Sequence, residues 1–225
     1  MRCGLLDTSG NTILMGMCDE HAWLLSAAQH AHTPENASQI AGLFDSMLKD
    51  GGVTLDELTH LGIGCGPGSF IGTRTGAAFA NGLAGGRALP IVPVSSLHAA
   101  VASTTFDAPN AVVVRSARRK AYFVGYYRGE RVANPVGSER ELLTEDIPEL
   151  LKRLGELAEE GGVCMVTDSE EVMRAVKDAE LPPRVVTVLR ENIVDLRGLA
   201  RLAVLGSVQG HAKPWVDVSY VRPVL

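Results

Sequence analysis

Three short apolar runs separated by turn residues open this 225-residue chain, and they limit what it can fold into more than any other feature. Residues 2–6, 12–18 and 21–28 are divided by Asp7-Thr8-Ser9-Gly10-Asn11 and by Asp19-Glu20. Short apolar runs joined by Asp, Gly and Asn predict a three-stranded antiparallel meander. A helix follows. Thr33-Pro34-Glu35 supplies a cap, a proline at the first helical position and an early acid; Ile40, Leu43, Phe44, Met47 and Leu48 fall at helical spacing, and Gly51-Gly52 ends the run. Residues 61–65 read as a strand, 66–70 as a loop and 73–84 as a helix whose Gly and Ala content lets it lie close to a sheet. Residues 89–94 form the next strand, and Ser95-Ser96 caps a helix to Ala102. The order to this point is β-β-β-α-β-α-β-α.

Asp107-Ala108-Pro109-Asn110 carries the turn chemistry of a lobe boundary. Beyond it the pattern predicts strands at 111–115, 121–127 and 131–136, a helix at 147–157, a buried strand at 163–167, a helix at 170–179, a strand at 184–189 and a helix at 196–209. Residues 214–220 alternate like an edge strand. Two successive units, each opening with strands and passing into β/α alternation, predict a duplicated mixed α/β architecture. The first lobe takes residues 1–107, a smaller second lobe 108–210, and the segment 211–225 returns to the first.

Composition narrows the function. With 46% hydrophobic residues the chain can bury a large core, and a net charge of −5 argues against a protein whose main affinity is for the nucleic-acid backbone. The four cysteines have no CxxC spacing and the N-terminus turns polar too soon for a signal peptide, so reduced thiols in the cytoplasm are expected. No apolar stretch reaches the ~18 residues of a membrane span.

The chemistry-bearing motifs each admit a plain reading. Asp7, Thr8 and Ser9 at the end of the first strand form a phosphate-approach turn, half of an aspartic-protease pair that would need a symmetric dimer, or a turn whose Asp and Ser bond only the local backbone. The string from Gly64 to Gly76 lies between a strand and a helix, where Gly66, Gly68 and Ser69 could turn backbone amides toward an anion, yet it lacks the lysine of a Walker loop and the register of a dinucleotide fingerprint. His30 with His32, and Cys18 with His21, do not have the spacing of a metal site. No Gly-x-Ser-x-Gly elbow singles out a nucleophile. Arg115, Arg118, Arg119 and Lys120 run into Tyr122, Phe123, Tyr126 and Tyr127; this is either a tRNA contact or a solvated strand start followed by a strand with one buried face, the second reading being favoured by the acidic net charge.

Several stretches together resemble the TsaB family of tRNA threonylcarbamoyladenosine biosynthesis: Leu5-Leu6-Asp7-Thr8-Ser9, His32-Thr33, Gly66-Pro67-Gly68-Ser69-Phe70-Ile71-Gly72-Thr73-Arg74 with Gly76, Val94-Ser95-Ser96-Leu97, Ala117-Arg118 and Tyr220-Val221-Arg222. The resemblance implies a two-lobed actin-like fold, shared with Hsp70 and the sugar kinases and ribonuclease H-like, with mixed sheets flanked by helices. It implies a non-catalytic relative of the enzyme TsaD, whose segment Val-Asn-His-x-x-x-His binds a metal; the two histidine positions here are Ser96 and Ala100, and His98 is a bystander. It further implies a scaffold for a TsaD-like subunit that recruits a TsaE-like ATPase, self-associates when alone, meets tRNA at most indirectly, and holds ATP or ADP, if at all, at the partner interface. The shared surface falls on the first lobe's helices, at His32, Ile40, Leu43, Phe44, Met47, Arg74, Ala77, Ala78 and Asn81. The family's Asp-Ala-Arg-x-x-Glu-Val-Tyr motif has become Ser116-Ala117-Arg118-Arg119-Lys120-Ala121-Tyr122-Phe123, without either acid. The competing expectations are a glycoprotease-like peptidase and a small kinase-like ATPase.

Overall fold

In the computed structural model, which describes residues 1–105, 107–118, 120–129 and 134–218, the opening meander forms as expected. Strand β1 (Cys3–Asp7) pairs antiparallel with β2 (Thr12–Cys18), placing Asp7 opposite Leu14. Strand β3 (Leu24–Ala31) starts three residues later than the pattern predicts. The carboxylate of Asp19 accepts the backbone N–H groups of His21 and Trp23, and Ala22 takes a φ of 62°, so the turn absorbs the residues that hydropathy assigned to the strand.

Helix α1 (Pro34–Ser38) and helix α2 (Ile40–Asp50) replace the single expected helix. Thr33 caps the first through the Asn36 N–H, as read from the sequence, and the break at Gln39 follows Ser38, whose hydroxyl donates to the Glu35 carbonyl. Strand β4 (His60–Gly64) leads to helix α3 (Phe70–Arg87), which begins three residues before its expected start because Ser69 caps it through the Gly72 N–H. Strand β5 (Ile91–Val94) and helix α4 (Ser96–Ala102), capped by Ser95, complete the lobe. The sheet order is β3-β2-β1-β4-β5, with β1, β4 and β5 parallel.

The second sheet has the order β11-β10-β6-β7-β8 and is built from β6 (Asn110–Arg118), β7 (Ala121–Arg128), β8 (Asn134–Pro135), β10 (Val163–Thr167) and β11 (Val185–Leu189). Part of the expected strand at 131–136 lies outside the described residues; Pro135 pairs with Tyr127. Strand β9 (Arg140–Leu143), also paired with β7, was not legible because Arg140 and Glu141 break its apolar pattern. Helices α5 (Ile147–Glu159) and α6 (Glu170–Asp178) cover the outer face of this sheet.

Helix α7 (Leu196–Val208) was grouped with the second lobe from sequence, but its packing puts it between the two sheets with α4. Leu5 of β1, Leu97 of α4, Val113 of β6, Cys164 of β10 and Leu199 of α7 belong to one buried cluster, so the lobes share a central helical layer. A second cluster packs α2 and α3 on the opposite face of the first sheet, where Ile40, Phe44, Met47 and Leu48 each gain about 1.5–3 kcal/mol from burial. The chain then returns to the first lobe: Lys213 bridges Ile91, and the Asn81 amide bonds both the N–H and the carbonyl of Val216. Residues 214–218 do not form the expected strand, and Tyr220-Val221-Arg222 lie outside the described residues.

Candidate functional site

The carboxyl end of β1 delivers Asp7 to the seam between the lobes, where it is 1% exposed. Its Oδ1 accepts the Ser9 N–H at 2.9 Å and the Ser9 hydroxyl at 2.7 Å, and its Oδ2 accepts the Ser96 hydroxyl at 2.6 Å. Ser96 in turn accepts the Gly66 N–H at 3.2 Å. Asp7 and Ser9 therefore bond each other as a plain turn would, and Ser96 is committed to the same carboxylate. Ala100 is buried in the central cluster. Among the described residues no three His, Cys, Asp or Glu side chains are grouped so as to hold a metal ion.

The glycine-rich loop clamps onto this turn. The Ser69 N–H donates to the Ser9 carbonyl at 2.7 Å, and the Thr8 hydroxyl donates to the Gly72 carbonyl at 2.7 Å. A Cβ on Gly72 would lie 2.0 Å from the Thr8 carbonyl oxygen, so only glycine permits the first turn of α3 to rest there. The amides of Gly66 and Ser69 thus point to protein acceptors, while Gly68 backs onto Ser9. Asp7, Ser9 and Ser69 line an interlobe cleft of about 270 Å³ together with Arg115, Asp168 and Asn192.

Arg115 is the residue that sequence reasoning placed wrongly. Grouped with a solvated basic cluster, it is 5% exposed and donates to the Ser9 hydroxyl and the Pro67 carbonyl. Its position at the end of the apolar run Ala111-Val112-Val113-Val114 is the signal that could have marked it as buried. Of its neighbours in the cluster, Arg118 is exposed 3.7 Å from Glu141 and Lys120 is exposed at the β6–β7 turn with a φ of 63°; Arg119 lies outside the described residues. The expected strand with one buried face is corrected: β7 is covered on both sides, Phe123 and Tyr127 facing the central cluster and Tyr122, Val124 and Tyr126 the cluster beneath α5 and α6.

Beside Asp7, across the N-terminal turn of α4, lies a second acidic group that the sequence did not reveal. Glu139 accepts the hydroxyls of Ser95 and, at 3.0 Å, of Tyr127. Burial pushes its carboxyl above the ordinary value, against the pull of those two hydrogen bonds. Burial, with Glu139 and then Asp7 adding to it, also pushes the Cys65 thiol up to about 12, which makes it a poor nucleophile. His98 stacks on Tyr127 with ring centroids 5.1 Å apart.

The helices expected to form an interface divide by face. Ile40, Phe44, Met47 and Ala77 are buried in the cluster under the first sheet, and the expectation that they meet a partner is corrected: helical spacing marks the face toward the sheet. The Asn81 amide is taken up by Val216. Arg74 and Ala78 are exposed, and His32 and Leu43 are half-buried; the His32 ring lies against the first turn of α3, 2.8 Å from where a Gly72 Cβ would sit. Phe70 and Ile71, outside the sequence-based set, are 54% and 72% exposed, with the Arg74 guanidinium 3.7 Å above the Phe70 ring.

Residues 27–167 match the family described as TsaD: tRNA N6-adenosine threonylcarbamoyltransferase. The chain is 33% identical over 150 residues to the tRNA threonylcarbamoyladenosine biosynthesis protein TsaB of Haemophilus influenzae, an alignment that takes in 63% of this chain and 61% of that protein. It superposes on YeaZ from Pseudomonas aeruginosa with a TM-score of 0.74 over 100% of this chain and 99% of that one, at 19% identity. A ROK family glucokinase from Streptomyces griseus gives a TM-score of 0.53 over 91% and 99% of the two chains, at 12% identity. These likenesses in structure establish the two-lobed fold of the actin-like ATPases and sugar kinases.

Proposed function

The chain belongs to the TsaB/YeaZ family, within the wider family of the threonylcarbamoyltransferase TsaD, and from that premise we propose that it serves tRNA threonylcarbamoyladenosine biosynthesis as a non-catalytic subunit. It scaffolds a TsaD-type catalytic protein in the cytoplasm and helps to recruit a TsaE-type ATPase. It meets tRNA at most indirectly, and any ATP or ADP sits at the partner interface. The observation that carries the reading is the outer face of α3. Phe70 and Ile71 lie exposed beside Arg74, the kinds of side chain that anchor interfaces. Further along, Ala78, Gly82, Gly85 and Gly86 leave the helix backbone open to close approach, with nothing within 4 Å of where a Cβ on any of the three glycines would stand.

A non-catalytic role agrees with the state of Asp7, whose oxygens are already engaged by Ser9 and Ser96. Co-expression with a TsaD-type protein followed by sizing chromatography tests the assignment. Co-elution is expected, and Ile71→Asp abolishes it while changing the chain's own stability by less than about 0.5 kcal/mol, as exposed substitutions do. A homodimer peak unchanged by the second protein would overturn the reading. Reconstituted tRNA modification with subunits omitted in turn separates a scaffold from a peptidase or ATPase, since either enzyme would turn over substrate as the single chain.

A further inference from the structure

The one buried arginine among the described residues belongs to β6 of the second lobe, yet both hydrogen-bond partners of its Nη1 belong to the first. Nη1 donates at 2.7 Å to the Ser9 hydroxyl, 106 residues away in sequence, and at 3.0 Å to the Pro67 carbonyl, 48 residues away. Ser9 accepts this bond while donating its own proton to Asp7, so a single hydroxyl joins the guanidinium to the carboxylate. Two glycines make the room. A Cβ on Gly10 would lie 3.0 Å from Nη2, and one on Gly68 would lie 3.0 Å from Nη1, closer than real Cβ contacts comfortably come. Taking the guanidinium out of water lowers its pKa, and the charges of Asp7 from the first lobe and Asp168 from the second oppose that. Asp168 is itself held in place by the Ser116 N–H at 2.7 Å.

From this geometry we infer that Arg115 is a built-in latch: its guanidinium occupies the floor of the interlobe cleft and holds the second lobe against the 7–11 turn and the 66–69 loop. The chain thereby joins its two lobes through its own side chain. The inference is independent of the subunit reading, because it concerns the single chain. It also fixes what the cleft refuses. Among the described residues the one positive charge on its wall, Arg115, is already matched by Asp7 and Asp168, and Glu191 adds a further acid to the lining, so an anion placed there meets like charges. Inorganic phosphate and adenosine diphosphate are therefore expected not to bind the cleft.

Amide hydrogen exchange on the full chain tests the latch with wild type, Arg115→Met and Arg115→Lys. A hydrogen bond to a charged group that is lost on opening changes local protection by about 10- to 100-fold. Arg115→Met is expected to raise exchange by that factor at residues 8–12 and 66–72 while β10 and α5 keep their rates. Arg115→Lys, which keeps the charge but lacks the planar fork, falls between and remains informative if the methionine variant fails to fold. Unchanged exchange at those two segments would overturn the inference, and so would an equal rise throughout the chain, which would make Arg115 a general stabiliser. A titration of wild type with inorganic phosphate and with adenosine diphosphate completes the test. Saturable binding that protects the same two segments and is lost in Arg115→Met would overturn it as well, by making Arg115 a ligand-binding group.

Discussion

Two neighbouring serines, Ser95 and Ser96, each hold a carboxylate at the start of α4, and the two carboxylates, Asp7 buried and Glu139 half-buried, live in different electrostatic surroundings. Asp7 accepts from Ser96 and twice from Ser9, and Arg115 stands one hydroxyl away. Among the described residues Glu139 accepts from Ser95 and Tyr127, and burial drives its carboxyl toward the protonated form. Hydroxyl donors offset part of the cost of burying a carboxylate, but among the described residues a positive charge acts on Asp7, from Arg115, and none is resolved acting on Glu139. The first arrangement crosses between lobes to Arg115, and the second crosses from Ser95 to the loop before β9.

The sharpest way to break this contrast is to remove the better-compensated acid. Asp7→Ala removes one of the two counter-charges of a buried guanidinium and strands the Ser9 and Ser96 hydroxyls, and a loss toward the lower end of the range of about 3–5 kcal/mol for a broken buried pair is expected. Urea denaturation registers that loss; a change under ~1 kcal/mol would mean that Asp7 and Arg115 are not energetically linked. Ser96→Ala comes next, at about 1–3 kcal/mol, because it strands both the Asp7 oxygen and the Gly66 N–H. Ser95→Ala removes a helix cap and one donor to Glu139, and about 1 kcal/mol is expected by the same measurement. If Ser95→Ala proved costlier than Ser96→Ala, the ranking of the two clusters would be reversed.

The smallest effect concerns pH. Because the folded-state carboxyl of Glu139 holds its proton more tightly than the unfolded one, the folded state binds more protons in the window between the ordinary value and the raised one. Its contribution to stability is then greatest below that window and is lost as pH rises through it. Glu139→Gln keeps an acceptor for Ser95 and Tyr127 without the charge, so the variant's stability gains on wild type as pH rises from the ordinary carboxylate range toward neutrality. Parallel pH profiles for the two proteins would show that Glu139 is solvated in both states.

Much of the fold was legible because it rests on local chemistry. The Asp-Thr-Ser-Gly-Asn turn, the Thr33 and Ser95 caps, and the apolar strands at 163–167 and 91–94 need no distant partner to be recognised. The errors came where a side chain bonded the backbone against the hydropathy pattern. Asp19 delayed β3, Ser38 divided a helix and Ser69 started another early. The candidate site was legible as a place and not as a set of interactions. Asp7, Ser9, Gly66 and Ser69 do meet, but the sequence offered no reason to join Arg115 or Ser96 to them, and it assigned the sheet-facing side of α2 to a partner when that side faces the protein's own core.

By itself, then, the sequence determined the alternation of strands and helices, the tight strand-to-turn junction after β1 and the glycine-lined approach of α3, since turn geometry, capping and hydrophobic period are properties of neighbouring residues. Only the tertiary structure decided that α7 would lie between the sheets, that Phe70 and Ile71 would stay outside, and that Arg115 would be buried against Ser9. Those outcomes depend on groups far apart in the chain, Ser9 and Arg115 by 106 residues, where the free energy of a charge is set by which partners the packed lobes place beside it.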